Sequence, residues 1–221
     1  MNFIHGQSES NLYPKPTQER AVRKLITGFK VSVDGKIAGP EGYADWVEGW
    51  SEDYGLSSQI DACLIGGGMY PGYEKYWTAI HTAGDAPLPM TGKIATPGEA
   101  EWGRFAARTA HYVLSTTLTQ TQWSNTSFLR SLEEVSALKA QPGKDIYLMG
   151  GGRAAARLIE AGLVDELRLI VHPLIVGPGM ALFAAATHGR RLELRRMEPL
   201  AQGRIGLNYA IGSPVPERVR C

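Results

Sequence analysis

The stretch that most restricts the possible folds is Asp145-Ile-Tyr-Leu-Met-Gly-Gly-Gly-Arg-Ala-Ala-Ala-Arg-Leu-Ile-Glu-Ala-Gly-Leu-Val-Asp-Glu-Leu-Arg-Leu-Ile-Val-His172. Ile146 to Met149 is a short apolar run stopped by Gly150, Gly151 and Gly152. Beyond them Ala155, Leu158 and Ile159 fall at helical spacing, and Gly162 stands where a helix C′ residue belongs. Leu167, Leu169 and Val171 then alternate with Glu166, Arg168 and His172, a strand pattern. Strand, glycine turn, helix and strand within about thirty residues make a βαβ unit, whose connection is right-handed. The opening amides and the positive end of the helix dipole face whatever lies above the strand end. Two readings stand, close approach of an anionic ligand and a plain tight turn. Three adjacent glycines cost backbone entropy, which favours the ligand.

The same device occurs earlier, where the apolar run Ala62-Cys-Leu-Ile65 meets Gly66, Gly67 and Gly68. Upstream, Leu25, Thr27, Phe29, Val31 and Val33 mark a first strand. Asp34-Gly35 is a hairpin-type turn, and Ile37-Ala38 pairs or extends after it. Trp46, Val47, Trp50, Tyr54 and Leu56 predict a helix within 43–60, and Tyr76, Trp77 and Ile80 another over 73–80. Residues 81–98 hold three prolines and three glycines without periodicity, so they are either a functional lid or disordered. A helix over 99–108 and a strand over 111–115 follow. Ser131-Leu-Glu-Glu134 reads as a capping box. Residues 192–200 and 204–211 predict two antiparallel strands around Gln202-Gly203. The expected architecture is one α/β domain over 23–212, parallel strands in the middle, with an arm at 1–22 and a tail at 213–221.

The formal net charge is +1, which gives no electrostatic reason to expect nucleic acid or a membrane surface as partner. No apolar run is long enough to span a bilayer, and residues 1–20 lack a signal-peptide core. A cytoplasmic protein is expected. Cys63 and Cys221 make no disulfide framework, and the five histidines are too scattered for a metal site. Nucleophile elbow and phosphate-binding loop are both missing. What remains is a set of strand ends bearing glycine or small polar residues: Gly66 to Gly68, Ser115 to Thr117, and Gly150 to Gly152. Ligands of open α/β sheets bind at such carboxyl ends, and three together can hold one extended anionic cofactor. Asp34 follows a buried strand at the rim of the same cleft. Its alternative role, a turn residue beside Gly35, is favoured by residue statistics.

Ser32-Val-Asp-Gly-Lys-Ile-Ala-Gly39, Asp61-Ala-Cys-Leu-Ile-Gly66, Val113-Leu-Ser-Thr-Thr-Leu118, Pro142-Gly-Lys-Asp-Ile-Tyr147 and Gly162-Leu-Val-Asp-Glu-Leu167 come in an order and spacing that resembles a known family. It is the reductase domain of the bifunctional riboflavin-biosynthesis deaminase–reductase and its stand-alone relatives. The resemblance spans about residues 23 to 211. It implies the dihydrofolate-reductase-like fold, a three-layer arrangement with a mixed, mostly parallel central sheet and flanking helices. It also implies NADPH or NADH lying across the strand ends. Gly150, Gly151, Gly152, Arg153 and Ala154 would meet the pyrophosphate. Gly66, Gly67, Gly68, Met69, Ser115 and Thr116 would border the adenosine side. Asp34, Lys36 and Trp46 would line the nicotinamide and substrate side as catalytic residues, without a metal.

The sequence departs from that pattern at informative places. Relatives carry Gly-Arg-x-Thr where this chain has Gly66-Gly67-Gly68-Met69, and Ser-Arg where it has Ser115-Thr116. Two cations that meet a 2′-phosphate are thus replaced, and weakened preference for NADPH over NADH is expected. The Ala-Asp-Asn-Pro stretch of the riboflavin enzyme is here Tyr70-Pro-Gly-Tyr-Glu-Lys75. Asp45, Glu48 and Glu52 only approximate the helix carboxylate of dihydrofolate reductases. The expected function is a homodimeric, stand-alone reductase of a small pterin- or pyrimidine-like heterocycle. The alternative is a non-catalytic small-molecule-binding protein that kept the fold. A third reading has the aromatic residues around Trp46 and Trp77 serving only a dimer interface.

Overall fold

Leu25–Ser32 (β1) is buried along its whole length because it lies inside the sheet, with Asp145–Met149 (β6) on one side and Glu166–His172 (β7) on the other. The structure, a computed structural model, describes residues 22–47, 50 and 54–215. Next to β6 comes Ile60–Gly66 (β3), then Ala110–Leu114 (β4) and Thr126–Leu129 (β5). These six strands are parallel. Beyond β7, Ile205–Pro214 (β10) and Arg190–Pro199 (β9) add an antiparallel pair, completing eight strands in the order β5-β4-β3-β6-β1-β7-β10-β9. β10 reaches Pro214, past the expected domain end at 212.

The alternation of side chains along each strand divides the interior into two layers. Leu64, Ile146 and Leu148 pack with Leu132–Lys139 (α3) and Gly152–Glu160 (α4) through Val135, Leu138, Leu158 and Ile159. Cys63, Ile65, Tyr147 and Met149 point the other way, to Tyr70–Ala83 (α1) and Pro97–Ala106 (α2) through Tyr73, Trp77, Ile80 and Trp102. The result is a three-layer, mixed but mostly parallel α/β sandwich. Trp77, 4% exposed, belongs to this core, so its aromatic face is used inside the chain and not at a dimer interface.

Three local expectations differ from the structure. No helix forms in the described part of 43–60, which instead makes turns. In a helix the Trp50 N–H would bond the Trp46 carbonyl; here it donates to the Glu99 carboxylate, 3.0 Å away. Gly42 and Gly55 moreover take φ of +82° and +69°, values that interrupt a helix. Lys36–Ala38 (β2) pairs not with β1 but with Met180–Ala181 (β8), in a separate two-stranded sheet. Ser131 caps α3, yet Glu134 reaches the amide of Arg130 and not that of Ser131, so the box is only half made. Between the end of α1 at Ala83 and the start of α2 at Pro97 the chain closes on itself through turns, with Leu88 buried and its amide on the Lys93 carbonyl at 2.8 Å.

His111 on β4 is fully buried, its Nδ1 2.8 Å from the Thr109 carbonyl and its Nε2 3.1 Å from the Tyr73 hydroxyl. The carbonyl only accepts, so Nδ1 carries the proton and Nε2 accepts from Tyr73. Burial lowers the imidazole pKa to about 4, against a smaller upward pull from the Thr109 carbonyl. An unfolded histidine titrates near 6.5, so between these values the unfolded chain binds more protons. The stabilisation is fully present above pH ~6.5 and is lost as pH falls through the folded pKa, about 3 kcal/mol in all. In urea melts His111→Gln is expected to flatten the pH dependence by up to ~1.4 kcal/mol per pH unit in this window. An unchanged slope would show that His111 is not the titrating group.

Candidate functional site

The carboxyl ends of β3, β4 and β6 meet at one place. A β-carbon on Gly66 would lie 3.1 Å from Cβ of Ala154, and one on Gly67 would lie 2.6 Å from both Cβ and Oγ of Ser115. One on Gly150 would lie 2.5 Å from Sδ of Met69. Gly66 to Met69, Ser115 to Thr116 and Gly150 to Ala154 are therefore brought together. Within the triplet the glycines have different reasons. Gly150 and Gly151 take φ of +56° and +84°, where a side chain is strained. Gly152 admits the Leu182 carbonyl, which a β-carbon there would overlap. Gly68 has open space around it, and α4 starts at Gly152, directly after Gly150 and Gly151; the free amides and dipole of a helix start suit an anion.

Beside this cradle, on the α1 and α2 side of the sheet, lies a cavity of about 380 Å³. Gly28 and Lys30 of β1 form its floor with Tyr147 and Met149 of β6; Trp50, Tyr54, Tyr73, Tyr76 and Trp77 form the walls; Met69, Gly150 and Gly151 border the cradle. Gly28 is required here because a β-carbon would stand 2.9 Å from the Tyr54 ring. Tyr54 is in turn held by its carbonyl, which accepts from Arg168 of β7 at 2.7 Å. So aromatic a chamber suits a planar heterocycle.

Glu99 is the main residue missed by the sequence reading. Its Oε1 accepts from the Trp50 amide at 3.0 Å and the Tyr76 hydroxyl at 2.7 Å; its Oε2 accepts from the amide and hydroxyl of Thr96 at 2.8 and 2.9 Å. Burial pushes its pKa up, and the bonds from Trp50, Thr96 and Tyr76 more than offset this, so it is lowered overall. Thr96-Pro-Gly-Glu99 is a visible capping box; that its carboxylate also fixes two chamber walls is a long-range fact. Arg130 was missed as well: its Nη1 donates to the carbonyls of Ser115 and Leu118 and ties the loop after β4.

The expected substrate-side trio does not gather here. Asp34 is exposed; Oδ1 accepts from the Ser32 hydroxyl at 2.6 Å and the Val176 amide at 3.0 Å, and Oδ2 from the Gly177 amide at 2.8 Å. The Ser32 and Val176 bonds lead in lowering its pKa to about 2. These bonds fasten the β1–β2 turn to the 173–179 loop, which is the turn role. Lys36 belongs to the β2–β8 pair. Trp46 is half-buried, and none of the three lines the aromatic chamber. Arg153 is exposed at the start of α4. Glu48 and Glu52 lie outside the described residues. Among the described residues no cluster of metal-binding side chains occurs, and no helix is long and apolar enough to cross a membrane.

A mostly parallel sheet with helices on both faces and glycine-bearing strand ends beside an aromatic cleft defines the dihydrofolate-reductase-like class. Solved structures agree. A putative riboflavin biosynthesis protein from Shewanella sp. PV-4 superposes with a TM-score of 0.60 at 17% identity, over 86% of this chain and 99% of that one. Dihydrofolate reductase from Enterococcus faecalis, solved with NADP(H), superposes with a TM-score of 0.50 at 17% identity over 86% and 97%. Residues 23–205 match the family model for the RibD C-terminal domain, and the chain belongs to that family. It is also 31% identical to the uncharacterised protein YyaP of Bacillus subtilis (strain 168), over 85% of this chain and 94% of that protein.

Proposed function

We propose that the protein is a stand-alone NAD(P)H-dependent reductase of a small planar heterocycle of the pterin or pyrimidine kind. The observation that carries this reading is the junction of the three strand ends with the aromatic chamber at Met69, Gly150 and Gly151. The residues fit a dinucleotide: open backbone at Gly68, positive-φ conformations that favour glycine at Gly150 and Gly151, and first-turn amides of α4. When bound, the nicotinamide supplies the hydride. The chain's own part is to hold the ring between Tyr54, Trp50 and Tyr76 and to keep water from it. In this reading Asp34 braces the rim, and the aromatic walls take the positioning role expected of Lys36 and Trp46. A solved structure lends the fold to this reading: the deaminase/5-amino-6-(5-phosphoribosylamino)uracil reductase of Thermotoga maritima, of which this chain covers 57%, superposes with a TM-score of 0.57 at 13% identity.

NADPH or NADH at about a hundred times its dissociation constant stabilises the fold by about 2.7 kcal/mol. For a chain of this size a rise in melting temperature of roughly 5–10 °C is expected. If neither dinucleotide moves the transition at millimolar concentration, the reductase reading fails. The glycine at 67 and threonine at 116 favour one competitor, a binding protein that kept the fold and lost turnover. Hydride transfer to any heterocycle excludes it.

A further inference from the structure

A second cavity, of about 510 Å³, adjoins the aromatic chamber and shares Trp50 and Tyr76 with it. Its other walls come from two loops, Tyr43, Asp45 and Val47 on one and Leu88, Thr91 and Lys93 on the other, with Thr96 and Glu99 at the start of α2. The character changes across the Trp50–Tyr76 partition, from aromatic rings to hydroxyls and charges. Among the described lining residues, Asp45 and Glu99 oppose Lys93, two negative charges against one positive. Glu99 is 5% exposed and bound only by uncharged donors among the described residues. Its charge is therefore satisfied by hydrogen bonds but not neutralised by a cation. Asp45 and Lys93 are exposed and make no ion pair with each other.

We propose that this second cavity is the subsite for an uncharged, hydroxylated appendage of the substrate, and that it discriminates against a phosphorylated one. The inference rests on the reading of the aromatic chamber as the site of the planar ring. A polyol or sugar joined to that ring enters past Trp50 and Tyr76, donates to Asp45 and accepts from Lys93 and Tyr43. A phosphate in the same space meets described walls of net negative charge, where Lys93 is the single ammonium among the described lining residues. Like charges several ångströms apart at a protein surface weaken binding by about tenfold, and the fixed charge on Glu99 is screened less than an exposed one.

The test is calorimetric titration of the full chain with uracil, uridine and uridine 5′-monophosphate. Uridine is expected to bind about tenfold more tightly than uracil, a gain equivalent to about 1.4 kcal/mol. The monophosphate is expected to bind about tenfold more weakly than uridine. In Asp45→Lys, an exposed substitution, the wall becomes net positive and the order of uridine and its monophosphate should reverse. The proposal is overturned if uridine binds no more tightly than uracil, including the case where neither binds, or if the monophosphate equals uridine. It is also overturned if Asp45→Lys leaves the order unchanged. Dinucleotide melts on the same protein separate the two ideas. Loss of the NAD(P)H shift with the ligand order intact removes the reductase reading alone, and the reverse result removes only the second subsite.

Discussion

Replacing Glu99 by alanine is expected to lower the stability of the fold by roughly 3 kcal/mol and to loosen both cavities at once. The carboxylate is 5% exposed and receives four hydrogen bonds, from the Trp50 amide, the Tyr76 hydroxyl, and the amide and hydroxyl of Thr96. Alanine leaves those donors without their acceptor, and an unpaired buried polar group costs about 1–3 kcal/mol where water cannot replace the partner. The Thr96 donors sit at the helix start, where solvent recovers part of the loss, so the sum falls well short of four full penalties. Glu99→Gln keeps one acceptor oxygen but turns an NH₂ toward two donors, and an intermediate loss of about 1.5 kcal/mol is expected. Urea denaturation measures both. On the proposed reading, because Trp50 and Tyr76 are shared walls, KM for a heterocyclic substrate should rise more than kcat falls. A Glu99→Ala protein within about 0.5 kcal/mol of the parent would show that the four bonds contribute nothing net. The carboxylate is held ionised by these donors, so its contribution is present above the ordinary carboxylate range and is lost as pH falls through the lowered folded pKa.

Glu99 also shows where the sequence stops being informative. Patterns confined to one element were readable: the alternation in β7, the glycine after α4, and the repeated strand-then-glycine device all correspond to observed elements. The fold class followed from their order. In the described part of 43–60 the expected helix does not form, because aromatic residues at helical spacing also serve a loop packed on a sheet. There the deciding bond, Trp50 to Glu99, joins residues 49 apart. β5 was missed because it is four residues long, half-buried and without a strong alternation. At the site, glycines were visible but their reasons were not. Gly152 makes room for Leu182, Gly28 for Tyr54 and Gly67 for Ser115, and each partner is distant in sequence. For Asp34 residue statistics favour the turn over the cleft, but the amides of Val176 and Gly177 that occupy its oxygens lie 142 and 143 residues away and are invisible in the local sequence.

The same neighbour relation makes the two departures from the family pattern unequal, and Thr116→Arg is expected to raise the preference for NADPH over NADH by about tenfold or more. On the proposed reading, this strand end borders the adenosine 2′-phosphate. A charge-assisted hydrogen bond to phosphate contributes roughly 1.5–3 kcal/mol, and about 1.4 kcal/mol is a factor of ten. Thr116 is exposed, so a long side chain meets no packing obstacle, and Arg130 holds the loop by donating to the Ser115 and Leu118 carbonyls at 2.5 and 2.6 Å. Gly67→Arg introduces the same charge into a closed position. Its β-carbon would stand 2.6 Å from Cβ and Oγ of Ser115, whose hydroxyl oxygen accepts from the amides of Thr117 and Leu118 at 3.3 and 3.1 Å. Moving Ser115 aside breaks that turn, so Gly67→Arg should lose about 1–3 kcal/mol of stability, with little gain in NADPH affinity. Ser115→Gly in the same chain removes the side chain in the way and should recover part of both losses. Dinucleotide dissociation constants from tryptophan quenching, with melting temperatures on the same samples, separate these cases. If Thr116→Arg strengthens NADPH and NADH equally, the strand end of β4 does not face the 2′-phosphate, and the dinucleotide lies across the sheet in another direction.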